Sequence, residues 1–142
     1  MTALKGRCLC GACRFTATPS PGHSAGVCHC SMCRRWSGGI FLSVPCGDSV
    51  EFEDDAPLLV YDSSDWGQRV SCSACGSTLV WRTKDRSMNQ VSIQAFDDPG
   101  QFEIGMEIFV DDKPASYGLS NETTKMTGAE VMAMFAPQEA EE

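Results

Sequence analysis

The sequence predicts a mostly β protein made of small antiparallel sheets, with one short helix near its carboxyl end. Three observations carry this prediction: short apolar runs of strand length, Gly and Pro residues between them, and one helix-capping pattern late in the chain. The chain has 142 residues, 42% hydrophobic and 21% charged, which suits one domain with a modest core. No internal repeat or long linker divides it, so we expect a single domain over residues 1–142.

Six segments have the composition and length of strands. In residues 90–95, Val91, Ile93 and Ala95 alternate with polar neighbours, and this period of two predicts a strand with one buried face. Five further runs are rich in β-branched, aliphatic or aromatic residues: 14–17, 40–44, 58–61, 78–81 and 106–110. Segments with Gly or Pro separate them at 19–22, 45–47, 54–57 and 97–100.

One helix is predicted, close to the carboxyl end. Thr127 followed by Glu130 is typical of a capping box, in which each side chain accepts a hydrogen bond from the other residue's backbone N–H. Helical spacing places four residues on one face: Gly128, Val131, Met132 and Phe135. We expect residues 136–142, which end in acidic side chains, to form a frayed tail.

The charge of the chain argues against two classes of function. Its net charge of −8 does not suit a dedicated nucleic-acid binder or a protein of anionic membrane surfaces. No apolar run at the amino terminus resembles a secretion signal, and none approaches the ~20 residues of a membrane span. We therefore expect a cytoplasmic protein with reduced cysteines and no nucleic-acid or membrane partner.

Nine cysteines are the strongest functional signal in the sequence. In a reducing compartment thiols more often bind metal than pair, and an odd number cannot all pair within one chain. Seven of the nine fall into three groups: Cys8-Leu9-Cys10, Cys28-His29-Cys30-Ser31-Met32-Cys33 and Cys72-Ser73-Ala74-Cys75-Gly76. Residues i and i+2 of a strand point to one face, and cysteines separated by two residues reach one ion across a tight turn. These spacings predict metal binding.

Seven sulfurs do not fill two four-coordinate ions. The natural partition is a closed site and an open site. The closed site has four sulfurs, from Cys8, Cys10, Cys72 and Cys75, and the open site has three, from Cys28, Cys30 and Cys33. Cys13 or His29 could instead close the second site, and iron could replace zinc in the four-sulfur site.

Single residues near these groups have simpler interpretations. Cys13 is expected to be a small buried hydrophobic residue, and Cys46 a loop thiol with no role. His29 would point to the strand face opposite Cys28 and Cys30, which disfavours it as a ligand.

At these residues the chain resembles the glutathione-dependent formaldehyde-activating enzyme family, which also includes centromere protein V. The resemblance spans about residues 4–117 and contains all seven clustered cysteines in the right order. It rests on three blocks. The first two are Gly6-Arg7-Cys8-Leu9-Cys10-Gly11-Ala12-Cys13-Arg14-Phe15 and Cys28-His29-Cys30-Ser31-Met32-Cys33-Arg34-Arg35-Trp36-Ser37-Gly38. The third is Tyr61-Asp62-Ser63-Ser64 continuing to Cys72-Ser73-Ala74-Cys75-Gly76-Ser77-Thr78-Leu79.

The resemblance implies a zinc-binding β-tent fold with two Zn²⁺ per chain. One is a structural zinc on Cys8, Cys10, Cys72 and Cys75, and the other lies on Cys28, Cys30 and Cys33. It also implies a carbon–sulfur lyase whose partner is a small-molecule thiol such as glutathione, joined with formaldehyde to S-hydroxymethylglutathione. The chain departs from the family on a late strand, where Glu107-Ile108-Phe109 replaces a His-Ile-Trp-like stretch.

The open site suggests how such an enzyme would work. A substrate thiol in the fourth position would bind as thiolate and add to an aldehyde held beside it. Arg34 and Arg35 directly follow the third ligand and could offset its negative charge or hold a substrate carboxylate. Ser63 and Ser64 could bind substrate or simply form a turn.

Two other functions are compatible with the same cysteines. One is a non-catalytic zinc module that binds a protein partner, because fold alone does not decide function. The other is a redox or metal-buffering protein whose middle thiols form disulfides reversibly.

Overall fold

Strands dominate the computed structural model, which describes residues 2–135. Over this range the chain forms, in order, β1 (Leu4–Arg7), β2 (Arg14–Ala17), β3 (Ala25–Cys28), α1 (Ser31–Ser37), β4 (Phe41–Pro45), β5 (Glu51–Phe52), β6 (Leu58–Asp62), β7 (Gly67–Cys72), β8 (Thr78–Thr83), β9 (Asn89–Ser92), β10 (Ile104–Ile108), β11 (Thr124–Met126) and α2 (Gly128–Phe135). The mostly β prediction is confirmed. The frayed tail predicted for residues 136–142 lies outside the described residues.

Two compact units make up the chain. Unit 1 comprises the residues up to His23 together with Ser43–Phe102. It holds a three-stranded sheet in the order β1-β2-β5 and an antiparallel series in which residues 43–45 of β4 pair with β9, followed by β8, β7 and β6. Every strand pair in this unit is antiparallel, as the short strands and tight connections predicted.

Aromatic and β-branched side chains fill the interior of unit 1. The Phe15 ring lies 5.6 Å from that of Phe52 and 5.5 Å from that of Phe96, centroid to centroid. Val70, Val80 and Val91 are fully buried and lie opposite one another on β7, β8 and β9. Cross-strand rows of this kind are the unit of sheet stabilisation, so this row holds three strands in register.

Unit 2 comprises Ser24–Leu42 and the residues from Glu103 onwards. Here β10 lies between β3 and β11 and is parallel to both, a pairing that the sequence did not indicate. The register places Val27 opposite Glu107, and Glu107 opposite Lys125. Glu107 of β10 therefore lies next to the strand that leads into the middle cysteine group, and Lys125 of β11 lies on the other side of Glu107.

The capping box of α2 is confirmed. The backbone N–H of Thr127 donates to Glu130 Oε1 at 2.8 Å, and that of Glu130 donates to Thr127 Oγ1 at 3.2 Å. Gly128 and Val131 are buried as predicted, but Met132 is 47% exposed. The helix is only two turns long, and among its described side chains the buried stripe is narrower than the predicted face. The side chain of Phe135, the fourth member of that face, lies outside the described ones.

Two strand boundaries were predicted wrongly and one helix was missed. The strand of residues 90–95 ends at Ser92 and continues as a 3-10 turn over Ile93–Ala95. The strand of residues 106–110 ends at Ile108, because Phe109 has a φ of +56° that no strand residue adopts. Helix α1 was not predicted, since about two turns of chain are too short for an apolar period to show.

Candidate functional site

Four cysteine sulfurs of unit 1 form a compact cluster. Cys8, Cys10, Cys72 and Cys75 place their Sγ atoms within 4.8 Å of one another. The Cys8–Cys10 separation is 3.6 Å and the Cys10–Cys72 separation is 3.9 Å. Sulfurs about 2.3 Å from a tetrahedral zinc ion would lie about 3.8 Å apart. The cluster therefore matches the dimensions of a four-thiolate zinc site.

Backbone N–H groups point at these sulfurs from two tight turns. Cys13 N donates to Cys8 Sγ at 3.2 Å in the first turn. In the second turn, Ala74 N and Cys75 N donate to Cys72 Sγ at 3.3 and 3.4 Å. Gly76 closes this turn with a φ of +81°, a conformation that glycine adopts readily. Such N–H···S bonds favour the ionised thiolate, which is the form that binds metal.

The thiols of this cluster influence one another's ionisation. Hydrogen bonds, chiefly from the Ser77 hydroxyl 3.1 Å away, lower the pKa of Cys75 to about 5. The backbone N–H of Ala12 favours the Cys10 thiolate, but neighbouring thiols outweigh it and raise the pKa of Cys10 to about 11. Close thiolates repel, so all four ionise together only around a cation.

Three cysteines of unit 2 form a second cluster, with Sγ atoms also within 4.8 Å of one another. Cys28 ends β3, and Cys33 lies in the first turn of α1. Cys30 is the N-cap of that helix, and its Sγ accepts a hydrogen bond from Cys33 N at 3.4 Å. A helical turn, and not the tight turn that the sequence predicted, therefore brings Cys30 and Cys33 together.

Charge in the second cluster is concentrated on one sulfur. Hydrogen bonds from the thiols of Cys28 and Cys33 lower the pKa of Cys30 to about 2. The same arrangement, together with burial, raises the pKa of Cys28. The donor set suits zinc or another thiophilic ion, and a four-coordinate ion on three sulfurs would keep one position for a further ligand.

The two alternative fourth ligands have other partners. Cys13 lies in unit 1, fully buried, and donates to the Pro57 carbonyl at 3.6 Å, while burial raises its pKa to about 12. His29 is also fully buried, and both ring nitrogens are engaged. Its Nδ1 is 2.8 Å from the Tyr117 hydroxyl and its Nε2 is 2.8 Å from Glu107 Oε1.

Glu107 is the buried charge of this network, 3% exposed in the middle of β10. Its second oxygen accepts a hydrogen bond from the Thr123 hydroxyl and lies 3.6 Å from Lys125 Nζ. Burial opposes ionisation, but the hydrogen bonds from Thr123 and His29 and the charge of Lys125 outweigh it and lower the pKa of Glu107. Because an ionised carboxylate only accepts, His29 Nε2 carries a proton.

This network fixes the chain between two of the clustered cysteines. Besides its ring contacts, His29 donates its backbone N–H to the Ile108 carbonyl at 3.1 Å and accepts from Arg34 Nε at 2.8 Å. His29 is thus held at four points, and Cys28 and Cys30 are its immediate neighbours. Sequence reasoning missed Glu107 and Tyr117, although an acidic residue inside an apolar strand is a signal that a buried partner exists.

The remaining predicted site residues are dispersed. Arg34 lies on α1, bound to His29, and Arg35 of the same helix is exposed. Ser63 and Ser64 belong to unit 1, in the turn between β6 and β7. Ser64 Oγ accepts from Gly67 N at 3.0 Å and so forms the turn, whereas the buried Ser63 hydroxyl has no hydrogen-bond partner among residues 2–135.

Among the described helices, none has the length and apolar composition needed to cross a membrane.

Comparison with known proteins agrees with the cysteine pattern. An uncharacterized lyase of Schizosaccharomyces pombe is 29% identical over 133 residues, which cover 93% of this chain and 96% of the relative. A Halomonas elongata protein, named as a candidate glutathione-dependent formaldehyde-activating enzyme, is 30% identical over 90 residues and 54% of each chain. The crystal structure of a Rhodobacter sphaeroides protein shares the fold, with a TM-score of 0.57 and 23% identity over 66% of this chain and 88% of that one. The profile of one family matches residues 3–112, and the chain therefore belongs to the glutathione-dependent formaldehyde-activating enzyme family.

Proposed function

We propose that this protein is a zinc-dependent carbon–sulfur lyase acting on thiol–aldehyde adducts such as S-hydroxymethylglutathione. The observation that carries the proposal is the three-sulfur cluster of Cys28, Cys30 and Cys33, whose donor set provides three of four zinc ligands. Catalytic zinc sites keep an open position, whereas structural sites are closed. The four-sulfur cluster would hold the structural zinc, which gives two Zn²⁺ per chain. Membership of the family and the lyase name of a relative support the reaction class.

The proposed reaction forms or breaks one carbon–sulfur bond. In the synthetic direction the thiol sulfur adds to the aldehyde carbon, and the thiol proton ends on the former carbonyl oxygen. When bound, zinc supplies Lewis acidity, which lowers the pKa of the substrate thiol and holds it as thiolate. Cys28, Cys30 and Cys33 would hold that ion, and the four-point attachment of His29 keeps two of these sulfurs at a fixed distance.

Arginines following the third cysteine would provide the charge balance. Three thiolates around Zn²⁺ leave a formal charge of −1, which weakens the Lewis acidity of the ion unless cations lie near. Arg34 is anchored through Nε to the His29 carbonyl, and Arg35 extends into solvent from the same helix. The guanidinium ends would also bind a carboxylate of glutathione, a contact for which their planar geometry is suited.

The proposal has three further parts. They are a single β-tent domain over residues 1–142, a cytoplasmic location, and a substrate contact through Ser63 and Ser64. The partnerless hydroxyl of Ser63 supports the last of these, because a buried polar group without a partner carries a free-energy cost that a ligand could remove.

Matched cysteine variants test the proposed catalytic role of the three-sulfur cluster and the structural role of the four-sulfur cluster. The measurements are metal content, melting temperature and turnover. Wild-type protein purified without chelator should contain about two zinc ions per chain by elemental mass spectrometry. Cys30→Ala should lose one ion and the adduct-forming activity, measured above the uncatalysed background, yet keep its fold. Cys72→Ala should lose the other ion and unfold the domain. Cys46→Ala, a buried cysteine outside both clusters, is the control.

Three results would contradict the proposal. Activity in Cys30→Ala would remove the three-sulfur cluster from the chemistry. Equal melting temperatures for Cys30→Ala and Cys72→Ala would remove the structural role of the other cluster. A second cluster that takes up no zinc even when zinc is added back would favour the non-catalytic interaction module.

A further inference from the structure

A cavity in unit 1 shares no residue with either cysteine cluster. Its volume is about 510 Å³, within the range of small-molecule pockets, which is roughly 300–1,000 Å³. Apolar side chains form much of its wall: Val50, Phe52, Leu58 and Val60. Two arginines, Arg82 and Arg86, line the same cavity.

Arg82 is a buried cation with few partners. It lies on β8, 6% exposed, and its Nε donates to Gln68 Oε1 at 3.0 Å. Gln68 in turn donates through Nε2 to Asp62 Oδ1 at 3.0 Å, so its amide lies between the arginine and this carboxylate. Within residues 2–135 no carboxylate forms an ion pair with Arg82. Its terminal NH₂ groups remain available to a ligand, and a buried cation strongly favours an anionic partner.

Arg86 is fixed in an unusual backbone conformation at the tip of the β8–β9 hairpin. Its φ of +65° lies in the left-handed region, which non-glycine residues rarely adopt and which is concentrated at functional sites. Asn89 holds it there by donating from Nδ2 to the Arg86 carbonyl at 3.1 Å and to the Gly47 carbonyl at 2.8 Å. The turn thus places a second arginine, which is exposed, among the residues that line the cavity of Arg82.

Two carboxylates also line this cavity, but neither is paired with Arg82 or Arg86 in the described part of the chain. Asp85 is occupied by its own turn, because its Oδ1 accepts hydrogen bonds from the Thr83 hydroxyl and from the backbone N–H and hydroxyl of Ser87. Asp48 is exposed, and water and salt screen an exposed charge. The buried charge in the wall is therefore the positive charge of Arg82.

We propose that this cavity binds a small organic carboxylate, whose anionic group contacts Arg82 and Arg86 while its hydrocarbon part lies against the apolar wall. Planar guanidinium groups match a carboxylate in bidentate geometry. An inorganic anion would leave the apolar wall without a partner, and a neutral apolar ligand would leave the buried cation without one. This site is independent of the thiol–aldehyde reaction, because none of its residues belongs to the cysteine clusters.

The test uses the full-length, zinc-loaded protein and three probes: benzoate, acetate and phosphate. Binding is followed by calorimetry and by ¹H–¹⁵N chemical-shift changes. We expect benzoate to bind saturably and to shift the amide signals of Val50, Val60 and Arg82. Acetate should bind more weakly because it lacks the apolar part, and phosphate more weakly still.

Arg86→Gly is the decisive variant, because glycine adopts a φ of +65° readily and the fold should be retained. Loss of this guanidinium should weaken benzoate binding by about tenfold or more. Lys84→Ala is the matched control: it removes one positive charge from the same hairpin but lies outside the cavity wall, so binding should change by less than about twofold.

Three results would overturn the proposal. They are the absence of saturable benzoate binding to wild-type protein, an equal loss of binding in Arg86→Gly and Lys84→Ala, and binding of phosphate as strong as that of benzoate. None of these results bears on the zinc content or lyase activity of the cysteine sites, so the two proposals can fail separately.

Discussion

Replacement of Glu107 tests whether a buried carboxylate stabilises the segment that carries the middle cysteines. Glu107→Ala would remove the acceptor of the His29 Nε2 proton and the acceptor of the Thr123 hydroxyl. The His29 ring is fully buried, so water cannot replace the lost contact without a rearrangement of unit 2. We therefore expect a substantial loss of stability from this single substitution.

The size of the effect follows from the three contacts of Glu107. A buried donor left without an acceptor costs about 1–3 kcal/mol, and the fully buried His29 Nε2 belongs near the middle of that range. Thr123 is only partly buried, and Lys125 is largely exposed, so each adds under about 1 kcal/mol. With the lost packing of the side chain, Glu107→Ala should reduce the free energy of unfolding by about 3–4 kcal/mol. At about 3 °C per kcal/mol for a chain of this length, the melting temperature falls by about 10 °C.

Glu107→Gln is the matched variant, since it keeps the shape and one carbonyl oxygen for His29. The neutral amide loses only the charge assistance of its hydrogen bonds, a loss of about 1 kcal/mol. Urea unfolding of the zinc-loaded proteins measures both variants. The reasoning is refuted if Glu107→Ala is within about 1 kcal/mol of the wild-type protein, because the network would then contribute no more than an exposed ion pair.

The same residue predicts a dependence of stability on pH. The pKa of Glu107 in the folded protein lies below its ordinary value of 4.5, so its contribution to stability is complete above that value. The contribution is lost as the pH falls through the lower folded-state pKa. Because Gln cannot titrate, the stability difference between wild type and Glu107→Gln should shrink as acid is added, which unfolding curves at neutral and acidic pH would show. A difference independent of pH would contradict the charge assigned to Glu107.

Three further predictions concern other parts of the chain. Arg86→Gly should raise the free energy of unfolding by about 1 kcal/mol in urea titrations, because it relieves a left-handed backbone, and a loss of stability would show that the hairpin depends on the arginine side chain. Thr127→Ala should cost about 1 kcal/mol by removing one half of the capping box, with increased amide hydrogen exchange confined to α2; an unchanged exchange rate there would contradict the cap. Cys13 and Cys46, whose pKa values burial raises to about 12, should resist alkylation at pH 8 until the protein unfolds, and mass spectrometry would detect any early modification.

Several local features followed directly from the sequence. Spacing alone paired Cys8 with Cys10 and Cys72 with Cys75, because one or two intervening residues allow few ways for both sulfurs to face one ion. The capping box at Thr127 was predictable for the same reason, since its two hydrogen bonds lie within four residues. Strand boundaries were less predictable where one backbone angle ends a strand, as at Phe109.

Only the tertiary structure determined which distant residues meet. Glu107 and Tyr117 lie 78 and 88 residues from His29 along the chain, and the parallel strands of unit 2 bring Glu107 to it. Arg82 and Arg86 likewise line one cavity because the β8–β9 hairpin turns at Arg86. The left-handed backbone of that residue is one that the propensities of non-glycine residues disfavour. Cysteine spacing predicted which neighbouring sulfurs lie together, because the approach of two cysteines one or two residues apart is a local property. The partners of buried charges depend on strand register, which many weak contacts set together and no short segment encodes.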